Sequence, residues 1–156
     1  MRLPYAEGTA FLVPLDGGGV ARGVAVRVSP RGKVLLGYFF GPRLGSSAEF
    51  SWDGLQPAAA VLRLRCGDLG LVNGDWPIVG QVPGWNRAMW PMPDFVRRDP
   101  LGRLPPLLVR YSDYDPQRID CEIPIQDDEG LGNQSLSGAG AVATRLNKLL
   151  ADRISG

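Results

Sequence analysis

The chain has 156 residues, 44% hydrophobic and 21% charged, with a formal net charge of +1 and no histidine. This composition belongs to a folded globular protein, and the length suits one domain with a buried core. Near-neutral charge gives no general attraction to nucleic acid or an anionic membrane, and the lack of histidine removes the commonest general base and every serine–histidine or cysteine–histidine arrangement.

The first third reads as a β-meander. Residues 9–15 form an apolar strand, and Asp16-Gly17-Gly18-Gly19 forms a turn in which glycine supplies positive φ at no steric cost. Residues 20–29 form a second strand, with Val24, Val26 and Val28 on one face and Ala25 and Arg27 on the other. After the turn at Pro30-Arg31-Gly32, residues 34–40 make a continuous apolar run, the pattern of a strand covered on both faces. Residues 41–51 read as a loop, and Asp53 can cap a short helical segment reaching Ala60 despite Pro57. Residues 61–65 alternate, which puts Leu62 and Leu64 inward and Arg63 and Arg65 outward. A short turn or helix over 68–73 leads to a strand over 76–82, where Pro77 belongs at the strand's start or on an edge.

Residues 83–106 resist assignment, because prolines at 83, 91, 93, 100, 105 and 106 exclude a long helix and a central strand alike. Segments 107–111 and 118–123 then read as paired strands, with Ile119, Cys121 and Ile123 toward the core and Asp120 and Glu122 toward solvent. The chain closes with a helix. Val142, Leu146, Leu149, Leu150 and Ile154 recur at helical spacing, Ser137 can cap it, and Arg145, Lys148, Asp152 and Arg153 cover its other side. The expected fold is mainly β (α+β): a strongly twisted antiparallel sheet or small open barrel with a C-terminal helix packed on it. The expected organisation is one domain over 1–156, divided into a meander core (1–82), a Pro/Trp-rich loop (83–106), a β-hairpin (107–125) and the helix (138–155).

Charge is unevenly placed. Asp113, Asp115, Asp120, Glu122, Asp127, Asp128 and Glu129 crowd one segment against Arg118 alone, whereas the part before it is rich in arginine. Such a segment either presents a focused negative field to a basic partner or merely solvates an edge. Its spacing misses the calcium-loop pattern, and two distant cysteines, Cys66 and Cys121, make neither a zinc site nor a disulfide framework. No metal and no cofactor is expected. The glycine runs do not open helices and lack a P-loop lysine. Trp85, Met89, Trp90, Met92 and Phe95 form the one cluster suited to contacting a partner, unless the loop buries them. The N-terminus lacks a signal-peptide core and no run is long enough to span a bilayer, so a cytoplasmic, reduced protein is expected.

Tyr5, Gly8, Phe11, Pro14 and Leu15, then Gly23 and Val26, then Gly74, Trp76, Ile78, Gly80 and Pro83, form a pattern that continues in Met92-Pro93-Asp94-Phe95 and Asp99-Pro100. It resembles the Immunity protein 26 family over roughly the first two thirds of the chain. The resemblance implies a small, mostly β, cytoplasmic bacterial protein, encoded beside a polymorphic toxin, that neutralises this toxin by binding. It offers no catalytic residue to carry over, and it leaves out the Trp85–Trp90 segment and the acidic segment.

The expected function is therefore stoichiometric toxin binding without catalysis. Asp113, Asp115, Asp120, Glu122, Asp127, Asp128 and Glu129 would supply steering, and imitate phosphates if the toxin is a nuclease; Trp85 and Trp90 would supply a desolvated anchor. Neither nucleic acid nor membrane is an expected partner, and the oligomeric state is open. The alternatives are a small-molecule or regulatory module with a barrel-mouth pocket reaching Trp76 or Trp90, and a carboxylate enzyme with raised pKa values in a cleft.

Overall fold

Glycine-rich turns and alternating apolar residues lay down the first sheet. Strands β1 (Thr9–Pro14), β2 (Val20–Val28) and β3 (Val34–Leu44) run antiparallel, each beside the last. Gly17, Gly18 and Gly19 between β1 and β2 have φ of 82°, 100° and 82°, a region closed to most side chains. β4 (Leu62–Gly67) pairs with β3, a short helix α1 (Leu69–Val72) follows, and β5 (Ile78–Gln81) returns to pair with β1. The order is β4-β3-β2-β1-β5, so the strand after Pro77 is indeed an edge. The two glycine-led segments of the sequence thus become neighbours, and the Trp76 ring stacks flat on Phe11, with centroids 5.3 Å apart. Gly70 is required beneath it, because a Cβ there would come within 2.6 Å of the indole.

A second sheet contains β6 (Phe95–Arg97), β7 (Leu107–Ser112), β8 (Asp115–Pro124) and β9 (Gly132–Asn133) in the order β8-β7-β6-β9, with β9 parallel to β6. The chain ends in α2 (Ala139–Ile154). The structure, a computed structural model, describes residues 2–126 and 130–154. No described helix is long and apolar enough to cross a membrane.

The first sheet is the middle layer. On one face Phe11, Phe39 and Trp76 pack with Val142, Leu146 and Leu150 of α2. On the other, Val24, Tyr38 and Phe40 pack with Trp90, Phe95 and Val109 of the second sheet and its approach. The apolar run in β3 is buried throughout because both its faces are covered. Beyond β9 the chain crosses between sheets: Gln134 N–H donates to the Val96 carbonyl at 3.0 Å, and Ser137 exchanges backbone hydrogen bonds with Arg65 and Gly67 of β4. This joins the sheets along one side without closing a barrel. The mainly β fold with a packed C-terminal helix is as expected, and the strands sort into two sheets.

Four local expectations change. Arg63 is exposed as expected, but Arg65 does not face water: it points at the second sheet, buried over the Tyr111 ring (3.9 Å) and donating to the carbonyls of Pro116 (2.7 Å) and Gln134 (2.6 Å). Val28 packs on the helix side, opposite Val24 and Val26, because a register shift between Ala25 and Arg27 breaks the alternation. In place of a helix after Asp53 there is a single 3-10 turn, Pro57–Ala59. The Pro-rich stretch holds a central strand, β6, whose three residues lie between Pro93 and Pro100 and so keep every amide the ladder needs.

Candidate functional site

β7 and β8 form a hairpin with two unlike ends. At its turn, Asp113 accepts from Arg27 Nε (2.9 Å) and Arg87 Nη1 (2.7 Å). Arg87 comes from the 3-10 turn Arg87–Met89 and also holds Glu7 (2.8 Å). Asp115 accepts from the Ser29 hydroxyl (3.1 Å) and its own Gln117 amide (2.9 Å), as an aspartate does in a tight turn. Tyr114 stands outside, with the Arg87 guanidinium 5.0 Å from its ring centroid. Partial burial works against the Asp113 carboxylate, but the hydrogen bonds and charges of Arg27 and Arg87 outweigh it and hold its pKa below the ordinary value. The Glu7 hydrogen bond, seconded by Asp113, raises Arg87 above its own. A general acid would need the opposite shift at Asp113.

Farther along β8, Glu122 meets Arg97 at 2.7 Å and Asp120 meets Arg118 at 3.6 Å, all partly solvated and so individually weak. Arg110 faces Cys121 while Tyr111 faces Ile119, so Asp120 is an extra residue held in a bulge. The bulge, together with the outermost position of β8 in its sheet, overturns the expected core face. Ile119 is 39% exposed, Ile123 44%, and Cys121 half-buried. Asp127, Asp128 and Glu129 lie outside the described residues.

The tryptophans separate. Trp90 is 4% exposed between the sheets, tilted against Tyr38 (5.3 Å) and edge-on to Phe40 (6.0 Å), so it belongs to the core. Trp85 is half-buried, lying on Trp90 (5.4 Å) and against Gly8. Large aromatic rings between two sheets gain more from that contact than from solvent. Cys66 is likewise core, and burial pushes its thiol far up, away from nucleophilic use.

The other end of the hairpin was not singled out by sequence. There Asp99 accepts the amides of Leu101 (3.2 Å), Arg103 (2.8 Å) and Leu104 (3.0 Å), which hold its carboxyl below the usual carboxylate range. The loop this creates leaves Leu101 and Leu104 each 70% exposed. Beside it runs a groove of about 420 Å³ lined by Pro100, Leu104, Pro105, Leu107 and Pro124 together with Arg97, Arg98 and Asp99. Neither Trp76 nor Trp90 lines it. The signal was present as Asp99-Pro100-Leu101-Gly102, a turn sequence that fixes a loop. Among the described residues, no group of three or more acids or thiols is placed to hold a metal ion.

The family model described as Immunity protein 26 matches residues 6–103. A comparison with curated proteins gives no match. A comparison with solved structures gives none either.

Proposed function

The chain belongs to the Immunity protein 26 family, and on that premise we propose that it neutralises a cognate protein toxin in the bacterial cytoplasm by direct, stoichiometric binding. The family match over residues 6–103 carries this reading. The chemistry is in keeping with it: Asp113, which lines a shallow depression, is stabilised as an anion by two arginines, and the buried thiol of Cys66 is held protonated. These are the marks of groups used for structure.

The acidic hairpin supplies the long-range part of recognition. Asp120 and Glu122 lie at the surface of β8, and Asp127, Asp128 and Glu129 follow in sequence. A negative segment of this kind accelerates encounter with a basic cleft, and a nuclease toxin would offer one. Asp113 and Asp115 contribute less, since their oxygens already serve Arg27, Arg87 and Ser29.

Co-expression with the toxin-like product of the adjacent gene tests the function. Cells should survive the toxin when this protein is present, and the purified pair should form a one-to-one complex. Unchanged killing would remove the proposal for that pair.

A further inference from the structure

We propose that residues 45–61 form a strap that lifts off the first sheet as one unit while both sheets stay folded, and that the Arg22 guanidinium is its latch. This device goes beyond toxin binding and does not rest on it. The strap leaves β3 after Leu44 and reaches the far edge of the sheet, where a Cβ on Gly80 of β5 would stand 3.5 Å from the Trp52 ring. It rejoins the sheet at Val61, whose N–H donates to the Phe39 carbonyl (2.8 Å). Apart from two 3-10 turns, Ser47–Glu49 and Pro57–Ala59, it has no regular structure, and it adds no strand to the sheet it crosses.

Little apolar area holds the strap down. Leu55 is its one buried side chain, at 8% exposed, while Phe50 and Ala60 are half-buried against the cluster between the sheets. Trp52 is 37% exposed and meets Phe50 edge-on at 4.9 Å, so that ring pair lies within the strap itself. Its turn hydrogen bonds are internal as well; Leu55 N–H, for one, donates to the Trp52 carbonyl (3.2 Å). Such contacts survive lifting. Segments with few buried outward contacts open at a free energy below that of global unfolding.

One side chain makes the polar attachment. Arg22 of β2, 6% exposed, donates from Nη1 to the carbonyls of Ser51 (2.8 Å) and Asp53 (2.6 Å), and from Nη2 to that of Gly41 (2.8 Å). The planar fork of a guanidinium suits that fan of acceptors. Its burial is incompletely compensated. Among the described residues no carboxylate forms an ion pair with Arg22, and its buried Nε has no hydrogen-bond partner. Desolvation pulls its pKa below the ordinary value, although the Asp53 charge acts the other way. A charge buried on carbonyl dipoles alone keeps much of its desolvation cost. Lifting the strap returns the whole guanidinium to water, Nε included, and this offsets the loss of the carbonyls.

Native-state thiol labelling tests the device on the full chain carrying Leu55→Cys and Cys121→Ser, with iodoacetamide as the probe and mass spectrometry to separate the sites. Cys66, buried in the cluster on the helix side, is the internal control. The thiol introduced at position 55 should label at least about 100-fold faster than Cys66 and with a weaker urea dependence, because the area exposed on opening sets that slope. Val142→Ala, on the helix face, should speed Cys66 about tenfold and leave position 55 unchanged. Arg22→Lys should speed position 55 about tenfold, the scale of hydrogen bonds to a charged group, since opening releases bonds this variant already lacks. In the unsubstituted chain, the Leu55 amide should exchange faster than the amides of β2 and β3. Equal urea slopes at the two thiols, a Val142→Ala effect shared by both, or a Leu55 amide that exchanges only with those strands would overturn the strap. An unchanged rate at position 55 in Arg22→Lys would overturn the latch.

Discussion

At the turn of the β7–β8 hairpin, Asp113 is gripped by Arg27 and Arg87, and Trp90 lies packed between the sheets. At the open end, Leu101 and Leu104 stand in water on a loop tied by Asp99. Residue type alone would rank the two ends the other way, since acids and tryptophans suggest contact and leucines suggest core. The difference teaches that a side chain is available for recognition only when the fold has not already used it. An aspartate holding two arginines contributes to stability, whereas an aspartate holding three amides shapes a loop that exposes its neighbours.

The largest effect expected from this contrast is at Trp90. Trp90→Ala should cost about 3–5 kcal/mol, the range for truncating a buried aromatic, without changing toxin affinity in the folded fraction. Urea unfolding and calorimetry measure the two separately; a stable variant that no longer binds would restore Trp90 as an anchor. Arg27→Met comes next. It removes a buried guanidinium (3% exposed) from a half-exposed Asp113, so the loss should be about 2 kcal/mol, below the full figure for breaking a buried pair.

At the other end the expected readout is local. Asp99→Ala should leave unfolding nearly unchanged but speed amide exchange at Leu101, Arg103 and Leu104 about tenfold, because the loop loses its order rather than its contacts. Unaltered exchange would mean that Asp99 does not order the loop. Replacing Asp127, Asp128 and Glu129 by their amides should slow association about threefold and flatten its salt dependence, with little effect on dissociation. Identical association rates across a salt series would return these residues to a solvating role.

The smallest effect concerns pH. The folded-state pKa of Asp113 is lowered, so its contribution to stability is present above the unfolded value, about 3.9, and is lost as pH falls through the folded value. Asp113→Asn should therefore be less stable than wild type at pH 7, and the gap should narrow below about pH 4. A gap that widens on acidification would mean that Arg27 and Arg87 do not favour the charged form.

Much of the framework was legible in the residues. The meander follows from alternation broken by Gly17-Gly18-Gly19, and the C-terminal helix from the spacing of Val142, Leu146 and Leu150. Both are periodicities written within a short window. Strand β6 was hidden because three residues between prolines carry too little pattern to detect. β8 misled because a bulge turns the alternation over at Asp120 and no third layer covers Ile119 or Ile123 among the described residues. Arg65 misled for the converse reason: its strand alternates correctly, but a second sheet lies where water was expected.

By itself, the sequence determined the local elements and the family, since turns, helical spacing and short motifs depend on neighbours in the chain. Only the tertiary structure decided which charges and rings remain free. The Arg27–Asp113 contact spans 86 positions and the Arg87–Glu7 contact 80. Whether such groups pair or stay solvated depends on which strands the fold brings together, and short-range pattern carries no record of that distance.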